Sequence, residues 1–154
     1  MKYTYKQLRS PDIDMFKALM QIFAQVFEDS ESYLKHAPDD EYIRHVLSDD
    51  SLVVFVIVTE EGLVIGGVVA YVLQKFEQNR RELYIYDFAV SPDYQRQRAG
   101  SGLIVALKKF ANKHGMYDIF VQADKDDSGA LAFYRNFSTN ESEGYVFDIG
   151  IEPT

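Results

Sequence analysis

The strongest constraint on the fold is the run LVVFVIVTEEGLVIGGVVAYVL, because it contains two β-rich segments separated by a short polar turn. Val and Ile fill both segments, and β-branched side chains pack well on a pleated sheet. Glu60–Gly62 interrupts the apolar residues after one strand length, which is typical of a connection between antiparallel strands. The run therefore predicts a β-hairpin.

The remaining segments alternate between strand and helix patterns. RELYIYDFAV at 81–90 is apolar on both faces from Leu83 onward, so we expect a central strand that is covered on both sides. Ser10-Pro11 is typical of a helix N-cap and a first-turn proline, and apolar residues follow at helical spacing. The other predicted elements are strands at 3–8, 117–123 and 144–151, and helices at about 39–48, 99–114 and 127–136. This order predicts a single domain over residues 1–154 with an α/β (α+β) fold, in which helices flank a mixed, mostly antiparallel central sheet.

The charge balance restricts the partners of the chain. Its 154 residues include 24 acidic and 16 basic side chains, for a formal net charge of −8. Such a surface repels nucleic acid and anionic membranes and attracts small polycations. The alternative is that the excess Asp and Glu side chains only keep the protein soluble. There is no cysteine, which excludes disulfides, thiolate metal sites and a cysteine nucleophile. No apolar run approaches the length of a membrane span and the first residues lack a secretory signal pattern, so we expect a cytoplasmic protein.

A basic, glycine-bearing turn connects the 81–90 strand to the next helix. We expect this helix to begin near Ala99, with its free N–H groups and positive dipole end facing the turn, a geometry that binds phosphate. Arg96 and Arg98 add positive charge, whereas neither GxxxxGK[ST] nor GxGxxG is present. On these residues alone, an ordinary strand–helix connection with solvated arginines is the alternative.

This turn resembles the acyl-CoA pyrophosphate loop of the GNAT acetyltransferases, whose pattern is [QR]-x-x-G-x-[GA]. Gln97–Gly102 matches the pattern literally, and Gln95–Gly100 matches it except that Arg98 replaces the first glycine. We favour the second register because it keeps the usual spacing from the strand, and Arg98 then either pairs with a CoA phosphate or obstructs the site. The resemblance implies a GNAT acyl-CoA N-acyltransferase fold, acetyl-CoA as co-substrate, and pyrophosphate contacts from Gln95, Arg96, Gln97, Arg98, Ala99, Gly100 and Ser101.

Two further roles are implied by the same resemblance. The backbone N–H groups of Phe88, Ala89 and Val90 hold the thioester carbonyl in such folds, where acyl transfer develops negative charge. SGALAFYRNF resembles the second helix of the family and places Tyr134 as the general acid for the departing thiolate. In a chain with 11 tyrosines, a core tyrosine with a satisfied hydroxyl is the alternative.

Asp87 interrupts the apolar strand at 81–90. A carboxylate within a covered strand is costly unless it is paired, lies at a bulge or belongs to an active site. An acceptor amine is usually protonated at neutral pH and must lose a proton before it attacks an acyl-CoA. We therefore expect Asp87 to bind that ammonium group and accept its proton, with a hydrogen bond to a neighbouring loop amide as the alternative.

The resemblance is closest to one branch, the aminoglycoside 3-N-acetyltransferases of the gentamicin-acetylating type. It is carried over nearly the whole chain by FEDSESYLKHAPDDEY, YVLQKFEQ, ELYIYDFAVS, FVQAD and FDI. This implies acetylation of an aminoglycoside amine, with the 3-amino group expected, antibiotic resistance, and a homodimer in which the acidic C-terminal strand completes a neighbour's site. It also implies a carboxylate-lined acceptor pocket, with Asp29, Tyr33, His36, Glu77, Asp87, Asp124 and Asp148 as candidates.

Other ligand chemistries compete with this interpretation. A polyamine or another small cationic amine would suit the same acidic pocket. A non-catalytic module that senses CoA or a cation would tolerate the replaced loop glycine. DKDDSG at 124–129 imitates the start of an EF-hand, but Arg135 stands where the bidentate glutamate belongs and a strand precedes the loop, so we expect no metal site.

Overall fold

Strands and helices occupy most of residues 2–153, the part of the chain that the computed structural model describes. The strands are β1 Tyr3–Gln7, β2 Leu52–Thr59, β3 Val64–Gln74, β4 Arg81–Val90 and β5 Asp118–Val121. The α-helices are α1 Ile13–Val26, α2 Asp40–Ser48, α3 Ala99–Lys113 and α4 Ser128–Arg135, with a π-helical segment at Glu31–Lys35 and a 3-10 turn at Pro92–Tyr94. Two units contain these elements, Met1–Gln122 and Ala123–Thr154. No helix within the described residues is long and apolar enough to cross a membrane.

The first unit is built on one five-stranded sheet in the order β1-β2-β3-β4-β5. β1 to β4 pair antiparallel, and β5 pairs parallel to β4. The predicted hairpin is β2–β3, and Gly62 in its turn has φ +86°, a conformation that a side chain disfavours. The predicted mixed, mostly antiparallel sheet flanked by helices is confirmed.

Helices pack on both faces of this sheet. Leu19 and Phe23 of α1 are fully buried and share an apolar cluster with Val56 of β2. On the opposite face of β2, the ring of Phe55 lies 5.8 Å from that of Phe110 in α3. The alternating directions of strand side chains therefore divide the core into two layers, one under each helix.

Two predicted details of this unit are wrong. Helix α1 begins at Ile13 and has Asp12 rather than Ser10 at its N-cap. The Asp12 carboxylate accepts a hydrogen bond from the backbone N–H of Arg9 in the preceding turn. β4 is not covered on both faces, since Tyr86 is 61% exposed. Tyr86 lines a cleft whose wall also contains Phe16, Met20 and Phe23 of α1.

The second unit contains α4 and a C-terminal segment without regular secondary structure. The strand predicted at 144–151 is wrong, because these residues pair with no described strand. Its apolar side chains are exposed, from 74% at Val146 to 96% at Ile151. A strand is stable only when its backbone groups pair with another strand, and this unit contains no second strand among its described residues.

Candidate active site

A β-bulge changes the side-chain directions near the end of β4. Val69 of β3 is in register with Asp87. The next residue of β3, Ala70, is in register with Ile85, so Tyr86 is an extra residue in β4. Bulges are frequent beside active sites, where they redirect a side chain. Here Tyr86 and Asp87 line the same cleft although they are adjacent in the sequence.

The Asp87 carboxylate is half-buried and accepts a hydrogen bond from a side-chain hydroxyl. Tyr33 Oη donates to Asp87 Oδ2 at 2.6 Å, and no described Lys, Arg or His forms an ion pair with the carboxylate. Burial raises the pKa of Asp87 above its ordinary value, and the Tyr33 hydrogen bond partly offsets this rise. A carboxylate in these surroundings is suited to accept a proton. Its hydrogen-bond partner is a hydroxyl and not the loop amide considered as the alternative.

Tyr33 reaches Asp87 from the π-helical segment Glu31–Lys35. Its ring packs against Phe23 and Phe27 of the α1 region, with centroid distances of 5.6 and 5.9 Å. π-helical turns are rare and are frequently found at functional sites. The segment therefore brings a residue that is distant in sequence onto the candidate base.

A cleft of about 310 Å³ opens beside Asp87. Asp49 contributes a second carboxylate to its wall, and Tyr71 and Tyr86 meet edge to face with ring centroids 5.6 Å apart. Aromatic rings attract ammonium groups through their faces and pack against apolar ring surfaces. The cleft is thus suited to a cation that also has apolar faces. The other lining residues are Phe16, Met20, Phe23, Tyr42, Val46, Ser51, Leu52 and Val69.

The last part of β4 pairs with β3, and its register with β5 ends earlier. Its pairing with β5 ends at Ile85 within the described residues. On the β3 side, the Ser91 amide donates a hydrogen bond of 2.7 Å to β3. Antiparallel hydrogen bonds alternate along a strand, so the Ala89 amide also points toward β3. The amides of Phe88 and Val90 therefore point away from β3.

The loop at 95–101 has the backbone of a glycine-rich turn. Arg96 and Arg98 have φ values of +62° and +63°, in the left-handed region that side chains disfavour. Arg98 holds the N-cap position of α3, where the favoured register has it replace the glycine. Backbone N–H groups at such turns form a concave site for anions, and the first turn of α3 contains no acidic residue. Both arginine side chains are exposed and have no partner among the described residues.

Side chains of β1 support this loop. Tyr3 donates a hydrogen bond of 2.8 Å to Oε1 of Gln97, and Tyr5 donates one of 3.1 Å to the Ala99 carbonyl. A Cβ atom at Gly102 would overlap the Tyr5 hydroxyl, so only glycine allows this contact. Gly102 therefore has a packing role at this helix start.

Three other predicted residues of the first unit have structural partners. Gln95 donates its side-chain amide to the Val90 carbonyl at 3.0 Å and ties the loop to the end of β4. Asp29 accepts a backbone N–H of the π-helical segment at 3.0 Å. The Glu77 carboxylate lies 3.5 Å from Lys75 Nζ. Asp29 and Glu77 do not line the cleft.

The predicted residues of the second unit lie in α4 and its flanking segments. Tyr134 is half-buried in α4, and its ring centroid lies 5.2 Å from that of Phe133. Asp124 accepts the backbone N–H of Asp126 at 2.9 Å, and Asp148 is exposed. Within residues 2–153, no group of three or more His, Cys, Asp or Glu side chains is arranged to hold a metal ion.

Asp87 is the one predicted site residue among the described residues that line the cleft, so the sequence predictions missed the tyrosines and the second aspartate there: Tyr42, Asp49, Tyr71 and Tyr86. They come from α2, the turn that follows it, β3 and β4, so no local spacing connects them. Of these four, only Tyr71 could be connected with Asp87 by a sequence pattern. Alternation along the second strand of the predicted hairpin places Tyr71 on the same face as Val69, which is in register with Asp87.

Comparison with known proteins supplies independent information on the family and fold of this chain. The Acetyltransferase (GNAT) family profile matches residues 15–138. An aminoglycoside acetyltransferase from an uncultured soil metagenomic sample is 34% identical, with a TM-score of 0.94 over 99% of this chain and 100% of that chain. A second aminoglycoside acetyltransferase from an uncultured soil metagenomic sample, in complex with sisomicin, is 33% identical, with a TM-score of 0.89 over 97% of both chains.

More distant proteins share the fold or a shorter stretch of sequence. AAC(6')-Iy in complex with the bisubstrate analog CoA-S-monomethyl-acetylneamine is 15% identical, with a TM-score of 0.77 over 98% of this chain and 99% of that chain. At this identity the likeness shows the fold alone. The [ribosomal protein bS18]-alanine N-acetyltransferase of Escherichia coli K12 is 31% identical over 61 residues. That match spans 40% of this chain and 41% of the relative's length.

Proposed function

The chain belongs to the acetyltransferase (GNAT) family, and we propose that it transfers the acetyl group of acetyl-CoA to an amine of an aminoglycoside. The observation that carries this proposal is the half-buried Asp87 carboxylate, which lacks a cationic partner among the described residues and faces an aromatic cleft. A polycationic acceptor supplies the missing positive charge. The two structural relatives at 34% and 33% identity are aminoglycoside acetyltransferases, which supports this acceptor class.

The loop at 95–101 fits the diphosphate of acetyl-CoA. Its backbone amides lie at the N-terminus of α3, and Arg96 and Arg98 have no competing carboxylate partner among the described residues. Because the Arg98 side chain is exposed, it can turn away from the backbone and pair with a phosphate rather than obstruct the loop. Beyond Ile85, where the pairing of β4 with β5 ends, backbone groups of β4 hold an extended pantetheine arm in this proposal.

Acetyl transfer then requires a base, a site for negative charge and an acid. Asp87 accepts a proton from the acceptor ammonium group, directly or through water, and the neutral nitrogen attacks the thioester carbon. The amides of Phe88 and Val90 stabilise the negative charge that develops on the carbonyl oxygen. The attack forms the C–N bond. The C–S bond then breaks, the nitrogen releases its second proton to solvent, and Tyr134 gives its proton to the departing thiolate and regains one from solvent. The products are the N-acetylated amine and CoA, without a covalent acetyl-enzyme.

The aromatic cleft is the proposed acceptor site. Tyr71 and Tyr86 present ring surface to the sugar, while Asp49 and Asp87 are placed to hold two of its ammonium groups. The resemblance to the 3-N-acetyltransferase branch favours the 3-amino group as the nucleophile. Its acetylation removes a charge and a donor that aminoglycosides use on ribosomal RNA, and the expected consequence is antibiotic resistance.

We also propose a homodimer held by the C-terminal segment. Tyr145, Phe147, Ile149 and Ile151 alternate with smaller or acidic residues and are between 81% and 96% exposed. An amphipathic segment of this kind becomes a stable strand when it pairs with another edge, which a second copy of the chain can supply. In that arrangement Asp148 adds a carboxylate to the neighbouring site. Sedimentation should give a dimer mass for the wild type and a monomer mass for Phe147→Asp, and a monomeric wild type would exclude the dimer.

An acceptor panel tests the function directly. The release of CoA thiol from acetyl-CoA is followed with sisomicin, with spermidine, and with a peptide that begins with alanine. We expect release with sisomicin, and NMR of the product should locate the acetyl group on the 3-amino nitrogen. CoA release with spermidine but not with sisomicin would show that the acceptor is a polyamine and not an aminoglycoside. Acetyl-CoA binding in a calorimeter without thiol release from any acceptor would identify a non-catalytic module.

A further inference from the structure

We infer that Tyr33 is a positioning residue for Asp87. The Tyr33 hydroxyl fixes one oxygen of the Asp87 carboxylate and leaves the other oxygen available to the acceptor amine. The inference rests on the proposed role of Asp87 as the base. The sequence placed Tyr33 among the residues that contact the acceptor. The structure instead brings its hydroxyl onto the candidate base, across 54 positions of the chain.

The geometry at the carboxylate supports this division between the two oxygens. The 2.6 Å distance from Tyr33 Oη to Asp87 Oδ2 lies in the short range of hydrogen bonds to a charged acceptor. No described residue donates a hydrogen bond to Oδ1. Because the bulge places Asp87 on the cleft wall, the oxygen without a donor is the one that an ammonium group in the cleft can meet.

Tyr33 is held so that its hydroxyl has little freedom. Its ring is packed by Phe23 and Phe27, with which it forms tilted aromatic pairs. The π-helical segment that carries it is anchored by Asp29, whose carboxylate accepts the Ser32 N–H at 3.0 Å. The hydrogen bond to Asp87 therefore acts from a fixed point, which is the requirement for holding a catalytic group in one orientation.

The charges around the carboxylate make this hydroxyl its main stabilising contact. The titratable groups around it are Tyr33 from the π-helical segment, Tyr71 from β3 and Tyr86 beside it on β4, and Asp49 also lines the cleft. Burial and the nearby Asp87 raise the pKa values of Tyr33 and Tyr71, so both hydroxyls stay protonated. The Tyr33 hydrogen bond is the contact that lowers the pKa of Asp87 against the effect of burial.

The test replaces the hydroxyl and keeps the ring. In Tyr33→Phe, the packing on Phe23 and Phe27 persists while Asp87 loses its donor. ¹³C NMR of the Asp side-chain carboxyls follows the titration of Asp87, which is assigned by its absence in Asp87→Asn. We expect the Asp87 midpoint to move to higher pH in Tyr33→Phe. With sisomicin as acceptor, kcat at neutral pH should fall about tenfold while KM for acetyl-CoA is unchanged.

Tyr84→Phe is the matched control. Tyr84 lies in β4, like Asp87, and the substitution removes the hydrogen bond of 2.8 Å that its hydroxyl donates to Oε1 of Gln122. It should leave both the Asp87 midpoint and kcat near wild type. The inference is overturned if Tyr33→Phe keeps the wild-type midpoint, whether or not its kcat falls, because a lower rate alone would reflect packing. Should the wild type acetylate no acceptor, the proposed function fails, and the NMR titration still decides the role of Tyr33.

Discussion

The loop at 95–101 and the carboxylate of Asp87 lie close together in the chain, yet they depend on different parts of it. The loop works through its backbone. Arg96 and Arg98 supply left-handed conformations, and the groups that face a ligand are amides that every residue except proline possesses. Asp87 works through its side chain, whose direction depends on a bulge and whose orientation depends on the hydroxyl of Tyr33.

This difference determines which sequence changes each region can accept. Arg98 has a left-handed backbone conformation at the N-cap of α3, which costs about 1–2 kcal/mol for a residue with a side chain. Asparagine has the shape of aspartate but cannot serve as a base. Substitutions in the loop should therefore cause small changes in stability and acetyl-CoA affinity, whereas substitutions of Asp87 should cause a large loss of kcat.

The largest effect is expected at Asp87. Asp87→Asn keeps the shape of the side chain but removes its ability to accept a proton, so kcat should fall by about 10²- to 10⁴-fold. Asp87→Glu retains a carboxylate in a displaced position and should lose less. Initial rates of CoA release measure both variants. A kcat near that of the wild type in Asp87→Asn would show that the site does not depend on this side chain, and the contrast with the loop would then be wrong.

The second effect concerns the support behind the loop. Gly102→Ala places a methyl group against the Tyr5 hydroxyl and should lower the free energy of unfolding by about 1–3 kcal/mol. Gly144→Ala is the control, since nothing lies within 4 Å of a Cβ atom there. Urea denaturation measures both variants. Equal stability of the two would mean that the contact with β1 does not hold the start of α3.

A smaller effect is expected from the loop arginines. In the variant Arg96→Ala with Arg98→Ala, the dissociation constant for acetyl-CoA should rise about tenfold at low salt and by less at high salt, because exposed charges are screened. Lys108→Ala removes an exposed positive charge from α3 outside the loop and should leave affinity unchanged. Calorimetric titration distinguishes the two. The same loss in both would assign the effect to net charge instead of local contacts.

The smallest effect is expected from Arg98→Gly. Glycine adopts the left-handed conformation without steric cost, and this gain exceeds the added entropy of the unfolded chain, so stability should rise by about 0.5–1 kcal/mol. Thermal melts at fixed pH and salt are sufficient to detect it. A lower thermal stability of Arg98→Gly would show that the arginine side chain stabilises the turn by contacts of its own. The loop at 95–101 would then depend on a side chain, as the Asp87 site does.

Features with a strong local pattern were predictable from the sequence. The hairpin β2–β3 followed from its β-branched runs and turn, and the predicted helix at 99–114 corresponds to α3 at Ala99–Lys113. Asp87 was identifiable as a polar interruption of an apolar strand. Arg98 has a glycine-like backbone conformation, and the register chosen from strand spacing stays a prediction.

Features that depend on distant pairing were not predictable. The bulge at Tyr86 arises from the relative register of two strands, which neither sequence reveals alone. The bond between Tyr33 and Asp87 requires a π-helical segment, for which no pattern was available. Residues 144–151 have a strand pattern but no partner strand in their own unit, which shows that alternation indicates only a capacity to pair.

Mass spectrometry of sisomicin incubated with acetyl-CoA and the protein tests the central claim most directly. We expect the wild type to convert the antibiotic to a product that is heavier by one acetyl group, and Asp87→Asn to give almost none under the same conditions. Unmodified sisomicin after incubation with wild-type protein that binds acetyl-CoA, or equal product from both proteins, would contradict an amine acetyltransferase that depends on this carboxylate.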